Sequence, residues 1–321
     1  MGEQRLLVVG VGSELGSLAT ALLEQHERFA EVHGIDVHPP RRRLRRTIFH
    51  RVEHDEPADF ARKIASVRPD VVVHLGVWEP HARLGTKEAR LATGNYAQAL
   101  CEALTALNGL ARLVIRSGIE VYGAQGGRVH DEHSPVAPTS TYGHMLASLE
   151  TMVAEAAPST ATTTVLRLAP VIGAHVPSPL GRLLRLPIVP IDPISRAKFQ
   201  VVADDDAARA VTHAALSGRH EAVNIVADGP VDIAAVMRQG RRFPVPVLPL
   251  TWSFASSLTT LAGAPLPDHV RELLRHGRLA KTITHDLDYR PVHSTENVVS
   301  RLYSWPSVVR ISPKQPQVRV A

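Results

Sequence analysis

Residues 70–75, Asp-Val-Val-Val-His-Leu, form a run of nearly pure valine that fits only a strand covered on both faces, at the centre of a parallel sheet. It lies in a first half where short apolar runs alternate with longer helical patterns, as βαβ units do. Strands are predicted over 5–9, 31–36, 48–52, 70–75, 113–116 and 163–168, and helices over 15–25, 57–66, 89–107 and 142–156. Beyond Gly173 the pattern changes, because prolines crowd 177–193 and 244–267, where long helices cannot form. A helix over 204–216, acidic in its first turn, and a strand over 222–227 are expected to rejoin the sheet. The expected architecture is α/β: a doubly wound Rossmann-type parallel sheet over residues 1–172, with 204–228 returning to it. A smaller C-terminal substrate lobe is expected over 173–303 and a flexible basic tail over 304–321.

Composition narrows the function classes. The 321 residues carry one cysteine, Cys101, so no internal disulfide forms and a reducing, cytoplasmic setting is expected. The apolar stretch 6–23 is broken by Glu14 and three glycines with no cleavage site after it, and Leu6 stands where a myristoylation signal needs Ser or Thr. No transmembrane segment is expected. Most of the local excess behind the net charge of +5 is the run from Arg41 to Arg46, read as a solvated face. No aromatic interleaving or nucleic-acid motif accompanies it, so no nucleic-acid partner is expected. The 17 histidines include no metal-site spacing, and His74, inside the valine strand, reads as a hydrogen-bonded core residue.

Gly10-Val-Gly12-Ser13-Glu-Leu-Gly16 joins the first strand to the first helix. Glycines there let the backbone turn tightly and approach a pyrophosphate, while the helix N-terminus offers unpaired N–H groups to the negative charge. Asp36, twenty residues past Gly16, ends the second strand, where a carboxylate accepts the hydroxyls of an adenosine ribose. NAD is therefore the expected cofactor. Arg41 to Arg43 follow closely enough to reach the 2′-phosphate of NADP, which Asp36 would repel, so NADP is the less favoured choice.

These residues and several later ones resemble the extended short-chain dehydrogenase/reductases, the NAD-dependent epimerase/dehydratase family. That family's loop follows Thr-Gly-x-x-Gly-x-x-Gly; Gly10 and Gly16 match, Val9 replaces Thr, and Ser13 replaces the middle Gly with Gly12 beside it. Asp70 to Gly76, Asn95, Val121-Tyr122-Gly123, Glu132, Tyr142-Gly143, Leu166-Arg167-Leu168, Val171-Ile172-Gly173, Asp206-Ala207 and Val223-Asn224-Ile225 resemble its other signatures, in order over most of the chain. The resemblance implies cofactor contacts from Leu75, Gly76 and Asn95 as well, and a sugar nucleotide as the commonest substrate. The segment 243–267, with Trp252 and Phe254, is apolar and points instead to a hydrophobic hydroxy or keto compound, or simply to core. A homodimer is an assembly to test.

The family's chemistry uses a Tyr, a Lys four residues later that lowers the Tyr pKa, and a Ser or Thr that orients the substrate oxygen. Tyr142 matches the Tyr, but Leu146 stands for the Lys and Gly118 for the hydroxyl residue. With no cation one turn away, a phenol of pKa about 10 is ionised in only about one molecule in a thousand at neutral pH. Ser117 is adjacent, but in a strand its side chain points the other way; His144 faces another side of the helix, and Arg116 reads as a strand-end surface residue. Two classes follow: an oxidoreductase or epimerase with a degenerate, Tyr142-only site, or a noncatalytic NAD(H)-binding sensor or inactive partner subunit.

Overall fold

In the computed structural model, which describes residues 4–305 except 54–55, 82, 125, 218–220, 249–250, 284–286 and 288, seven parallel strands form the central sheet. They are β1 (Gln4–Val9), β2 (Phe29–Asp36), β3 (Thr47–Arg51), β4 (Val71–His74), β5 (Arg112–Gly118) and the strands Thr162–Leu168 and Glu221–Ile225. The order across the sheet is Glu221–Ile225, Thr162–Leu168, β5, β4, β1, β2, β3. The valine strand β4 lies between β1 and β5, with Val71, Val72 and Val73 fully buried. The order reverses between β1 and β4, and that switch point opens the crevice at the strands' carboxyl ends.

Helices α1 (Glu14–Leu23), α2 (Pro57–Val67), α3 (Thr86–Ala106) and α4 (Thr141–Ala156) follow their strands, each within a few residues of its expected limits. The short α5 (Pro179–Leu184) precedes α6 (Asp204–Ser217), which packs on α1, while α2, α3 and α4 pack in series. Right-handed crossovers put these two groups on opposite faces of the sheet. Serine side chains start α1 and α4: Ser13 and Ser140 each accept the amide three residues on, worth about 1 kcal/mol apiece.

The strand Glu221–Ile225 pairs with Thr162–Leu168, so the chain does return to the sheet after leaving it. The helices α7 (Ile233–Gly240), α8 (Trp252–Leu261), α9 (Asp268–His276) and α10 (Thr295–Ser304) build a second apolar cluster with α5, through Leu183, Met237, Trp252, Leu273 and Leu302. The ten-residue α8 arises inside the proline-crowded stretch because the prolines bracket it without interrupting it. Among the described residues no helix is long and apolar enough to cross a membrane. Residues 306–321 of the expected tail lie outside the described residues.

Candidate active site

The loop between β1 and α1 is shaped by close backbone approach. Gly10 has φ +90°, and a Cβ there would sit 2.6 Å from the Gly76 nitrogen and 2.7 Å from the Leu75 carbonyl carbon. Gly12 is hemmed in by the His38 carbonyl and the Asp36 carboxyl, and Gly16 by the Gly10 carbonyl oxygen. Ser13, in place of the middle glycine, spends its hydroxyl on the loop: it accepts from the Gly16 amide at 2.9 Å and donates to the Gly10 carbonyl at 3.0 Å. With the Gly16 amide so capped, the first-turn amides of Glu14 and Leu15 have no helical carbonyl to bond and remain suited to an anion. Gly10, Gly12, Ser13, Asp36, Leu75 and Gly76 all line one cleft. Asn95 lies half-buried in α3 and is not among that cleft's lining residues.

Asp36 is almost wholly buried at 2% exposure. Its carboxylate accepts from the Gly12 amide (2.8 Å), the His38 amide (3.0 Å) and the Tyr96 hydroxyl (3.2 Å). A carboxylate offers about four acceptor sites, so one remains for a ribose hydroxyl, in a residue that faces the cleft. The residues fit a dinucleotide: a glycine cradle that side chains would fill, next to a helix N-terminus and a ribose-accepting carboxylate. Arg41 also lines the cleft, its Nε donating to the Gly12 carbonyl. The arginine run is thus more than a solvated face. Arg42 pairs with the buried Glu14 at 2.7 Å, and the backbone amides of Arg45 and Arg46 bond Glu24. Burial works to raise the Glu24 pKa, but these amides and Thr47 outweigh it and hold it below its ordinary value.

Outside the cleft's lining lie the residues that stand at the positions expected of the family's polar groups. Leu146 is fully buried, and a Cβ on Gly118 would lie 3.0 Å from its Cδ1 and overlap Glu120 Oε2, so the Lys and hydroxyl positions are filled by a methyl and a carboxylate. Burial raises the Glu120 pKa, which Arg278, its partner at 3.2 Å, opposes. Tyr142 is buried, and that burial drives its pKa far above the ordinary value; Arg116 opposes the rise, while Glu79 and Glu120 reinforce it. It therefore stays a phenol at neutral pH, and it is not among the cleft-lining residues.

Arg116 departs from the sequence expectation. It is half-buried, lines the cleft and donates to the Val77 carbonyl at 3.1 Å, because β5 ends facing the crevice and not the surface. Ser117 does point the other way, to Glu150 at 2.5 Å, and His144 is exposed. His74 is buried as expected, but neither ring nitrogen has a well-formed hydrogen bond, and burial pushes its pKa down to about 4.

Sequence reasoning missed Tyr96, Trp78, Glu79 and His269. Glu79 lines the cleft, and His269, from α9, places Nε2 3.1 Å from its Oε1 and its ring 4.7 Å from that of Tyr142. Burial disfavours the His269 imidazolium, yet Asp268, Glu79 and Glu120 outweigh it and hold the pKa up to about 9. At the mouth of the cleft His81 is held below its ordinary pKa by burial and by the nearby Arg182.

Uncharacterized proteins of Mycobacterium tuberculosis and Mycobacterium bovis are 30% identical to the chain over 263 residues, covering 75% of this chain and 67% of each relative. Among solved structures, UDP-glucuronic acid 4-epimerase from Bacillus cereus in complex with NAD superimposes with a TM-score of 0.71 at 18% identity, covering 94% of this chain and 98% of that one. UDP-glucose 4-epimerase from Thermotoga maritima, solved with UDP-glucose, gives 0.68 at 18% identity with the same coverage. The model of the NAD dependent epimerase/dehydratase family matches residues 6–226, from the first sheet strand to the last. That match spans more than half of the chain and takes in both the glycine loop and Tyr142, so the chain belongs to the NAD-dependent epimerase/dehydratase family.

Proposed function

We propose that the protein binds NAD(H) in this cleft and acts as an oxidoreductase or epimerase on a sugar nucleotide or a hydrophobic hydroxy or keto compound. The observation that carries the reading is the Asp36 carboxylate, set beside the glycine loop with one acceptor site left for a ribose. Gly10, Gly12, Gly16, Leu75 and Gly76 would seat the cofactor, Ser13 would hold the loop in shape, and Asn95 would act from α3. When bound, the nicotinamide supplies a hydride acceptor. NAD is preferred because Asp36 repels a 2′-phosphate, although Arg41 lies close enough to compete. The sugar-nucleotide class is supported by the ligands named for the solved relatives and by Arg83 and Arg182 beside His81, suited to a diphosphate. Residues 1–172 with 204–228 would form the cofactor lobe and 173–303 the substrate lobe. Exposed Leu91 and Met152, on α3 and α4, suit a homodimer contact that sedimentation would test.

Leu146 and the un-ionised Tyr142 favour a second reading, a noncatalytic NAD(H) sensor or inactive partner subunit. Purified protein, first checked for bound nucleotide, is titrated with NADH and NADPH and then offered UDP-glucose, UDP-glucuronic acid and apolar ketones. NADH is expected to bind at least about tenfold more tightly, a difference of ~1.4 kcal/mol. Tighter NADPH binding would overturn the cofactor preference. Tight NADH binding with no redox change from any substrate would favour the second reading.

A further inference from the structure

We propose that Glu79, braced by His269, is the proton-accepting group of this cleft in place of the tyrosine; the assignment rests on the reading of the protein as an enzyme. Three carboxylates surround the Tyr142–His269 pair, and the structure separates their roles. Glu120 is buried and tied to Arg278 at 3.2 Å. Asp268 is taken up by the Thr141 amide at 2.6 Å and the His269 amide at 2.8 Å. Glu79 alone of the three lines the cleft, beside Trp78, His81 and Arg116, with 14% of its side chain exposed.

Behind it, His269 is 3% exposed in its side chain and gives Nε2 to Glu79 Oε1 at 3.1 Å, with Asp268 Oδ1 3.7 Å from its other ring nitrogen. A buried imidazole hydrogen-bonded to Glu79, with a second carboxylate beyond its other nitrogen, sets a cation behind the carboxylate that faces the cleft. The family's lysine supplied such a cation from one helical turn beyond the tyrosine. Here it arrives from α9, in the second lobe.

In the proposed step the substrate hydroxyl loses its proton. The O–H bond breaks, a bond forms from that proton to a Glu79 carboxylate oxygen, and the electron pair stays on the substrate oxygen. The companion hydride needs a nicotinamide dinucleotide as acceptor. The groups facing Glu79 are His269 and Asp268 from α9, Glu120 from the turn after β5, Arg116 from β5, Tyr142 from α4 and His81 from its own loop. Glu79 is thus the catalytic residue and His269 a positioning residue.

The test uses E79Q, E79D and H269Q in the full chain. In cofactor-free protein labelled at histidine, NMR follows the His269 imidazole, and E79Q is expected to lower its midpoint from about 9 by a unit or more. With NAD(H) and a turned-over substrate, E79Q is expected to lose about 10²–10⁴-fold in turnover while its NADH affinity stays within about threefold of wild type. E79D should regain part of that loss. H269Q should turn over more slowly and lack the alkaline fall that the wild-type pH–rate profile shows through about pH 9, which a purely structural latch would not do. E79Q turning over within about threefold of wild type, or a His269 midpoint indifferent to E79Q, would overturn the assignment while leaving the enzyme reading intact. Should E79Q fail to fold, full turnover by E79D, whose carboxylate is drawn back by one methylene, would overturn it equally. Wild-type protein that binds NADH yet turns over no substrate would sink the enzyme reading itself, and this assignment with it.

Discussion

Asp36 holds together the glycine loop that, on the proposed reading, it also completes for a ligand. Its three protein donors come from the glycine loop, the end of β2 and α3. Asp36→Asn keeps the size but turns one acceptor into a donor facing an N–H or O–H group. NADH affinity is expected to fall by about tenfold or more, NADPH affinity less, and stability by ~1–2 kcal/mol. Fluorescence titration and urea unfolding check these outcomes; unchanged NADH affinity would remove Asp36 from the site. Gly10→Val is not a selective probe of binding, since the Cβ meets the backbone of Leu75 and Gly76, and loss of binding would come with loss of stability. The loop and Asp36 are legible in sequence because strand-to-helix spacing fixes them locally, and Tyr142, Leu146 and Gly118 only through the resemblance to the family. Tyr96 and His269 are not, since they reach the site from residues 59 or more positions from Val37 and 190 from Glu79. No local pattern distinguishes them from core.

Between elements, a largely buried polar tie joins the sheet to α4. Arg167 on the strand Thr162–Leu168 pairs with Glu150 of α4 at 2.7 Å and donates to the Tyr122 hydroxyl at 2.9 Å, which in turn donates to Asn224 at 2.8 Å. Ser117 completes the set by donating to Glu150. Both charges are nearly buried, so Glu150→Ala would strand the guanidinium. It is expected to cost ~3–5 kcal/mol in denaturant unfolding, against ~1 kcal/mol or less for an exposed pair such as Arg62–Asp59. A loss below about 1 kcal/mol would show that solvent reaches Arg167. At this scale the sheet is legible, because β1, β4 and β5 each carry an unbroken apolar run of three or four residues and their helices have helical periodicity. The part of the chain that builds the second apolar cluster is not. Its two-residue strands and short helices bury scattered side chains through distant contacts, and its prolines signal interruption without showing, as at α8, what they enclose.

For the molecule as a whole, the two apolar clusters meet across a charged seam. Asp268 caps the Thr141 amide, Arg278 joins Glu120 and Glu272, and His269 bonds Glu79, so α9 is fixed to α4 and to the turns after β4 and β5 by groups that titrate. The sign differs between them. Burial would raise the Asp268 pKa, but its bonds to His269 and Thr141 hold it well below the carboxylate range, so its contribution is present above its unfolded value and is lost only in acid. His269 is raised to about 9 from 6.5, so its contribution is full below pH 6.5 and disappears as the pH climbs through 9. A shift of that size in a buried group corresponds to on the order of 3 kcal/mol. The unfolding free energy of the wild type should therefore decline by roughly that amount between about pH 6.5 and pH 9, and H269Q should be less stable at pH 6.5 while losing most of this slope. Urea unfolding at a series of pH values measures both. Parallel curves for wild type and H269Q across the window would mean that the imidazolium does not hold the seam.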